Sequence, residues 1–492
     1  MHYIGIDLGT TGVRLLMADG AGRVVNTVSR EYPLYLDDRG WSEQNPADWL
    51  EQTVLGLAEL TGGAGNVDIK AVSFSGQMHG LVILDENDEV IRPAILWNDQ
   101  RTQAQCDYLN NEVGRHTLID KTANVALTGF TAPKILWVKE NEPENFKRIR
   151  RIMLPKDYLA YKLSGVHATD YSDASGTLLL DVKNRRWSGF MLDLIGITEG
   201  QLPGLYDSFD AVGNVLPEMA QKTGLKASTK VVIGGGDQAV GAVGSGAVIN
   251  DTCSISLGTS GVVFVASDSF NADYGPGAIH SFCHANSKYH MMGVTLAAAA
   301  SNKWWVEDIL SLDDYEKAQN GITELGTNRT FFLPYLNGER TPHNDPLARG
   351  AFVGMSLTTK RSQMTQAVME GVAFSLRDIL EIVRSLGVGV KSARIIGGGA
   401  KSGLWCRMMA NIANLRVEKI SSAEGPALGA SILASVGGGE YPSVEEACAN
   451  CIKVTETFEP EPELVKLYDK SYEIFAGLYK DLKGTFRKMG VY

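Results

Sequence analysis

Two short loops combine glycine with hydroxyl side chains, a combination that suits the binding of a phosphate group. The stretch "LGTTGV" begins at Leu8, and "LGTSGV" begins at Leu257. Because glycine has no side chain, the backbone N–H groups of such a loop can approach an anion closely. Hydroxyl groups add donors for phosphate oxygens or metal-bound water; they belong to Thr10, Thr11, Thr259 and Ser260. The pair predicts a polyphosphate held from two sides, and the structural alternative is two ordinary glycine hairpins.

Carboxylates accompany only one copy of this pattern. Asp7 precedes the first loop, where the second loop has Ser256. Asp237 follows a "GGG" stretch, where a later copy of that stretch has Ala400. Phosphoryl transfer needs a carboxylate near Mg²⁺ and a base that takes the proton of the attacking hydroxyl. The asymmetry predicts those roles for Asp7 and Asp237, with a helix cap as the alternative for Asp237.

The elements that must position these residues occur in the same order twice. "HYIGIDLG" and "VRLLMAD" predict two strands joined by the first loop, and "CSISLG" and "VVFVAS" repeat the unit. Further along each half, a strand leads into a glycine loop: "VVIGGGDQAVG" begins at Val231, and "RIIGGGAKSG" begins at Arg394. Strands alternate with amphipathic helices, which indicates an α/β protein, and the repeat indicates a duplicated domain.

The repeat predicts two domains with a boundary near Ile249–Asp251, so we expect domains at 1–249 and 250–492. The segment after Pro462 has the apolar periodicity of a helix. Its apolar side consists of Leu464, Tyr468, Tyr472, Phe475, Leu478 and Leu482. We expect this helix to pack back across the other elements.

Composition excludes several classes of function. The chain has 492 residues and a net charge of −11, so it lacks the basic surplus that nucleic acid or acidic lipid would require. The sequence has no run of about 18 apolar residues, which argues against a membrane span. Asp7 within the first apolar stretch argues against a signal peptide, and six scattered cysteines favour reduced thiols in the cytoplasm. Neither a Walker phosphate loop nor a Rossmann glycine motif is present.

Several further motifs appear in one order along nearly the whole chain. They are "GIDLGTTGVR", "FSGQMHGLVILD", "RPAILWNDQRT", "GFTAPKILWV", "LPKDYL", "IGGGDQAVGAVG", "SLGTSGV", "LPYLNGERTPH" and "IGGGAKSGLWCRMMANI". Together they resemble the FGGY family of carbohydrate kinases, within the actin-like ATPase superfamily. "SGQMHG", "LWNDQR" and "HSFCHA" resemble the xylulokinase branch rather than glycerol kinases or ribulokinases.

The resemblance implies two ribonuclease-H-like domains with the active cleft between them. It makes Asp237 the catalytic base and gives Asp7 a role in Mg²⁺–phosphate geometry. Met78 and His79 are then expected in the sugar pocket. ATP is expected to contact the second domain mainly, with its phosphates at Gly258, Thr259 and Ser260 and its adenosine beside Gly398, Gly399 and Ala400. Thr10, Thr11 and Arg14 of the first loop complete the expected ATP site.

Two positions depart from the family pattern. Gln238 follows Asp237 where Asn is usual, and Arg14 stands where Lys is frequent. Both put fine contacts with sugar or phosphate in doubt.

Other motifs have competing interpretations. Trp97, Asn98 and Asp99 either contact the sugar or form a polar strand end. "CANC" at Cys448–Cys451 and "HSFCH" at His280–His284 have metal-like spacing. We expect both cysteines on one buried helix face, and the family resemblance implies that the "HSFCH" side chains support the pocket near the cleft. Trp304 either stacks on a ligand or begins a packed helix.

The resulting hypothesis is an ATP- and Mg²⁺-dependent kinase that converts D-xylulose to D-xylulose 5-phosphate. A family kinase for another ketose, polyol or sugar acid is the enzymatic alternative. A nucleotide-operated structural or chaperone-like protein is the alternative from another class, and the sugar-pocket motif argues against it. The expected partners are small molecules. The sequence leaves a homodimer and a monomer as alternatives.

Overall fold

The computed structural model describes residues 1–63, 67–275, 277, 279–422 and 424–490. Two seven-stranded sheets form its framework. Across the first sheet the strands follow the order Ala211–Asn214, Lys230–Val232, Ile69–Gly76, His2–Leu8, Gly12–Asp19 and Val24–Glu31, with Gly235–Gly236 also paired to Ile69–Gly76. Across the second sheet the order is His280–Cys283, Tyr289–Thr295, Gly261–Ser267, Asp251–Leu257, Val390–Ile396, Arg416–Ile420 and Val454–Phe458.

The two sheets have the same central topology. In each, the predicted loop joins two antiparallel strands, and the first of these also pairs in parallel with a later strand. The registers close on Leu8 opposite Val13 in the first sheet and on Leu257 opposite Gly261 in the second. This correspondence confirms the internal repeat.

Helices cover the sheets and fill the connections. In the first half they are Pro46–Gly62, Gln103–Asp107, Tyr108–Gly114, Arg115–Thr122, Thr131–Asn141, Pro143–Arg148, Pro155–Ser164, Tyr171–Ser175, Gly189–Ile195, Glu199–Gln201, Pro217–Thr223 and Asp237–Ser245. In the second half they are Ala299–Lys303, Trp304–Ile309, Tyr315–Gln319, Arg361–Ser385, Gly398–Lys401, Gly403–Ala413, Gly425–Gly438, Val444–Cys451 and Pro462–Met489. Short strands make five smaller sheets: Tyr35–Leu36 with Ser42–Gln44 and Ala94–Ile95, Val82–Leu84 with Arg151–Met153, Ala168–Asp170 with Gly204–Tyr206, Leu180–Asp181 with Arg186–Trp187, and Phe331–Leu333 with Ala351–Val353.

One helix of the second half lies against the first half. Gly425–Gly438 packs on the strands His2–Leu8 and Ile69–Gly76 and on the helix Asp237–Ser245. The approach is backbone to backbone: a Cβ at Gly5 would lie 1.9 Å from the Ala427 carbonyl oxygen, and one at Gly429 would lie 1.9 Å from that of Val240. The boundary at residue 249 falls between two elements. The division into domains 1–249 and 250–492 stays a prediction, because this helix of the second half packs on elements of the first half.

The C-terminal helix Pro462–Met489 confirms the helical prediction. Tyr468 and Phe475 are each 1% exposed, within the apolar core beneath the second sheet. The helix packs on Arg361–Ser385 and Gly403–Ala413 of the second half. Within the described residues, no helix has both the length and the apolar character needed to cross a bilayer.

Three residues of the lesser motifs, Cys448, His284 and Trp304, have structural roles. All six cysteines are buried free thiols, and Cys448 donates to the Val243 carbonyl at 3.3 Å. Nε2 of His284 lies at hydrogen-bond distance, 3.0 Å, from the Ala247 carbonyl oxygen. The ring of Trp304 stacks on Phe332, with centroids 5.9 Å apart, so it belongs to the helix packing.

Candidate active site

The two predicted carboxylates come from neighbouring strands of the first sheet. Asp7 pairs with Ser75, and on the other side of Ser75 lies Gly235. The chain then passes through Gly236 into the helix that begins with Asp237. The parallel strands therefore end side by side, and both carboxylates stand at that end.

Their environment raises the pKa of both groups. Burial and, after it, the negative charge of Asp7 raise the pKa of Asp237 to about 7, with hydrogen bonds from Gln238 offsetting part of the rise. Burial also raises the pKa of Asp7, against the Ser75 hydroxyl and the positive charge of Arg14. The helix cap is Gly236 and no side chain caps it, so the capping interpretation of Asp237 was wrong.

A buried ion cluster supports this strand end from behind. The Lys156 ammonium, fully buried, lies 2.6 Å from Asp157 and 3.0 Å from Asp170. Asp170 accepts from the Ser172 hydroxyl at 2.5 Å, and that hydroxyl accepts from the Gly236 N–H at 3.2 Å. The residue before Asp237 is thus tied to the cluster. Sequence analysis missed this link because the tertiary structure brings these residues together, and their spacing in the sequence forms no motif.

Met78 and His79 line the adjacent wall. A Cβ at Gly236 would lie 2.9 Å from the Met78 sulfur, so Met78 packs against the residue that precedes Asp237. His79 has a left-handed φ of 70°, and its Nδ1 lies 2.7 Å from the Gly176 carbonyl oxygen. Burial lowers the pKa of His79 to about 3, so the ring is neutral. Nδ1 must then carry the hydrogen, which leaves Nε2 as an acceptor.

Residues outside the predicted set fix His79. The Lys134 ammonium donates to the carbonyl of His79 at 2.8 Å and to that of Gly129 at 2.6 Å. Thr131 also donates to the His79 carbonyl, at 3.1 Å. Phe130 stacks on the imidazole, with centroids 4.6 Å apart. The motif "GFTAPK" was the available signal for these residues, but it was read only as part of a family resemblance.

The predicted residues of the first loop lie close together. The Trp97 indole is 45% exposed and donates to the Thr10 hydroxyl at 3.0 Å. Thr11 is exposed at the tip of the loop. Arg14 forms an ion pair with Glu424 of the second half. Asp99 is buried and holds Arg101 at 2.8 Å, so its role is structural.

A cavity of about 1380 Å³ opens in the second half. Four of the six predicted residues there line it: Gly258, Thr259, Gly398 and Gly399. Its other polar walls include Asn302, Lys303, Gln319 and Ser402. Ala400 is 9% exposed and packs into the core, and Ser260 lies beyond Thr259 without lining the cavity.

Comparisons with known proteins agree with this geometry. Models of the N-terminal and C-terminal domains of the FGGY family of carbohydrate kinases match residues 2–244 and 253–438. A xylulose kinase of Bacillus subtilis is 42% identical, with 99% of each chain covered. The chain belongs to the FGGY family of carbohydrate kinases.

Solved structures of this family confirm the fold class. A protein described as a xyloylose kinase from Brucella ovis is 37% identical with a TM-score of 0.93, covering 99% of this chain and 100% of that one. A gluconate kinase from Lactobacillus acidophilus is 26% identical with the same TM-score, and 99% of each chain is covered. The protein is therefore an FGGY kinase with two actin-like, ribonuclease-H-type α/β domains.

Proposed function

We propose that this kinase transfers the γ-phosphoryl group of ATP to the terminal hydroxyl of D-xylulose, giving D-xylulose 5-phosphate and ADP. The observation that carries the proposal is the position of Asp237, between a second carboxylate and the wall of Met78 and His79. The xylulose kinase of Bacillus subtilis supports the choice of sugar, since it matches this chain over 99% of its length.

Asp237 accepts the proton of the attacking hydroxyl as the new O–P bond forms and the bond from the γ-phosphorus to ADP breaks. A base with a pKa near 7 is matched to that task at neutral pH. His79 accepts a hydrogen bond from a sugar hydroxyl through Nε2, and Met78 provides an apolar wall. We assign Trp97 to the rim of the same site. Closure of the two halves excludes water as a competing acceptor.

The residues present fit a Mg²⁺ ion that arrives with ATP. Both carboxylates are buried and the charge of Asp7 raises the pKa of Asp237, so a cation between them and the phosphates is favourable. Mg²⁺ in kinases takes one or two carboxylates plus substrate oxygens and water. Asp7 would hold the ion, which neutralises charge on the phosphates. Consistent with so few protein ligands, no cluster of three metal-binding side chains occurs among the described residues.

We assign the cavity of the second half to ATP. Gly258, Thr259 and Ser260 then approach the phosphates from one side, and Thr10, Thr11 and Arg14 approach them from the other. Gly398, Gly399 and Ala400 lie on the adenosine side, where Ala400 contributes through its backbone. The expected location is the cytoplasm, where ATP and reduced thiols are available.

A coupled ADP-release assay tests the substrate. D-xylulose should give the highest kcat/KM among pentuloses, hexuloses, glycerol and gluconate. Gluconate belongs in the panel because the Lactobacillus acidophilus gluconate kinase shares the fold closely. A clear preference for gluconate or a polyol would replace xylulose as the proposed substrate. ADP release that does not depend on any sugar would contradict the assignment as a sugar kinase.

Replacing Gly258 with valine should raise the KM for ATP by about 10–100-fold and leave that for sugar nearly unchanged. A Cβ there meets only ordinary contacts, the nearest at 3.5 Å, so the variant should fold. The branched side chain would instead block the approach of phosphate to the backbone, with the loss of a charge-assisted hydrogen bond. Steady-state kinetics at varied ATP measure this.

Gly484→Val, in the exposed C-terminal helix with open space around its Cβ, is the matched control. Equal KM values for ATP in the two variants would remove the second loop from the phosphate site.

Replacing His79 with alanine should weaken kcat/KM for D-xylulose by about 1–3 kcal/mol, the cost of a buried polar partner left unpaired. The KM for ATP should stay near that of the wild type, because the cavity of the second half does not include this residue. His116→Ala, at an exposed position, controls for the loss of an imidazole. A loss of the same size for both substrates would show that His79 serves the fold.

A further inference from the structure

The wall of the sugar site includes a strand of the second half. The Asn124 side chain donates to the carbonyl of Ser281 at 3.0 Å, and the Ser175 hydroxyl accepts from the backbone N–H of Cys283 at 3.0 Å. These bonds join the strand His280–Cys283 to the half that holds Asp237. Residues of this strand therefore face the same site as His79.

His280 lies in that wall among aromatic rings. Its ring stacks on Phe282 with centroids 5.3 Å apart and lies 5.6 Å from Phe130, the residue that covers His79. It is 4% exposed. In the part of the chain that the structure describes, neither ring nitrogen of His280 makes a hydrogen bond. A buried polar group without a partner is costly, so a ligand that supplies one is stabilised there.

Arg340 is held beside this strand by its neighbours. The buried Glu339 carboxylate accepts from the Thr295 hydroxyl at 2.6 Å and from the Leu296 N–H at 3.1 Å. The Thr341 N–H donates to the Val294 carbonyl at 3.0 Å. Both anchors lie at the end of the strand Tyr289–Thr295, which pairs with His280–Cys283. The loop is thereby fixed at the sugar side of the second sheet.

Burial lowers the pKa of the Arg340 guanidinium, and the negative charge of Glu339 offsets part of that effect. Among the described residues, no carboxylate forms an ion pair with it, and the adjacent Glu339 is engaged elsewhere. Burial lowers the pKa of both His79 and His280, and the positive charge of Arg340 adds to each effect, so Arg340 lies on their side of the site. Asp237 lies on the side of Met78. The guanidinium and the base thus stand at different parts of one site.

We propose that Arg340 and His280 bind the α-hydroxyketone end of the sugar, the C1 hydroxyl and C2 carbonyl, while Asp237 receives the hydroxyl at the other end. This inference rests on the proposed function. The parallel N–H groups of a guanidinium match two adjacent oxygens, which a ketose offers at C1 and C2. The imidazole of His280 completes the contact with the C1 hydroxyl. The second half thereby binds the sugar as well as ATP.

The test compares D-xylulose with 1-deoxy-D-xylulose, which lacks the C1 hydroxyl. In Arg340→Met, kcat/KM for D-xylulose should fall by about 10–100-fold, the cost of a hydrogen bond to a charged group. The fall for the 1-deoxy sugar should be at least several-fold smaller, because one of the two oxygens is already missing. Arg340→Lys keeps the charge without the fork and should recover only part of the loss. Arg329→Met, at an exposed position, is the matched control.

Equal losses with the two sugars, or a rise in the KM for ATP, would overturn the assignment of Arg340 while the wild type still phosphorylates D-xylulose. Full rescue by lysine would overturn the bidentate contact. Thermal unfolding of each variant identifies one that does not fold, and His280→Gln then gives the same comparison from the second residue. A wild type that ignores D-xylulose would instead remove the proposed function, and this inference with it.

Discussion

Asp237→Ala should lower the rate of sugar phosphorylation by about 10²–10⁴-fold, the usual contribution of a general base. The residue stands at the start of a helix beside a second carboxylate, with Met78 adjacent. Asp237→Asn should lose as much, because an amide oxygen cannot take the proton. Single-turnover measurements with saturating ATP and sugar separate this loss from a defect in binding.

Folding and ATP binding should survive both substitutions. The raised pKa means that the ionised carboxyl is unfavourable in the folded protein, so above pH 7 its removal should not lower the thermal midpoint. Asp193→Ala, an exposed aspartate of the same half, controls for the loss of a charge. A variant at position 237 with a near-normal turnover number would take this residue out of the mechanism.

Lys156→Met should destabilise the protein by about 3–5 kcal/mol, because the three carboxylates around the ammonium would stay buried without a cation. Asp157, Asp170 and Asp173 all lie within 3.8 Å of it, and none is more than 1% exposed. Urea unfolding followed by tryptophan fluorescence measures the loss. Lys147→Met, which breaks an exposed pair with Glu144, should cost at most about 1 kcal/mol.

The loss should depend on pH. Burial already raises the pKa of Asp157 and Asp173, and without the ammonium these values rise further. A carboxyl whose pKa is higher in the folded than in the unfolded chain costs stability as the pH rises above the unfolded value of about 4. The deficit of Lys156→Met should therefore be larger at pH 8 than at pH 5. The same deficit at both values would show that packing, not charge, explains it.

Sequence was sufficient for the parts of the site that depend on local geometry. Glycine loops, the strands on both sides of them and the missing carboxylate in one copy are visible in the chain itself, so Asp7 and Asp237 were found together. Long-range contacts had no such signal. The ion pair of Arg14 with Glu424 spans 410 residues, and the carbonyl that fixes the tautomer of His79 belongs to Gly176, 97 residues away.

The same difference explains the wrong interpretation of Asp237 as a helix cap. Aspartate is common at that position of a helix, and the following residues are helical as predicted. Whether the side chain turns back to the helix or faces a cleft depends on the neighbouring strand, which brings Asp7 beside it. Composition and periodicity carry no information on that choice.

The helix Gly425–Gly438 also constrains how the protein is made. It covers the first strands of the first sheet. At the closest contacts only glycine fits, so no other element can replace this helix there. During translation, the first half must wait for about 190 further residues beyond position 249 before this cover emerges, about 10–40 s at ordinary rates of synthesis. The nascent first half is therefore incomplete throughout that interval, and its native core closes only after Gly438 has left the ribosome.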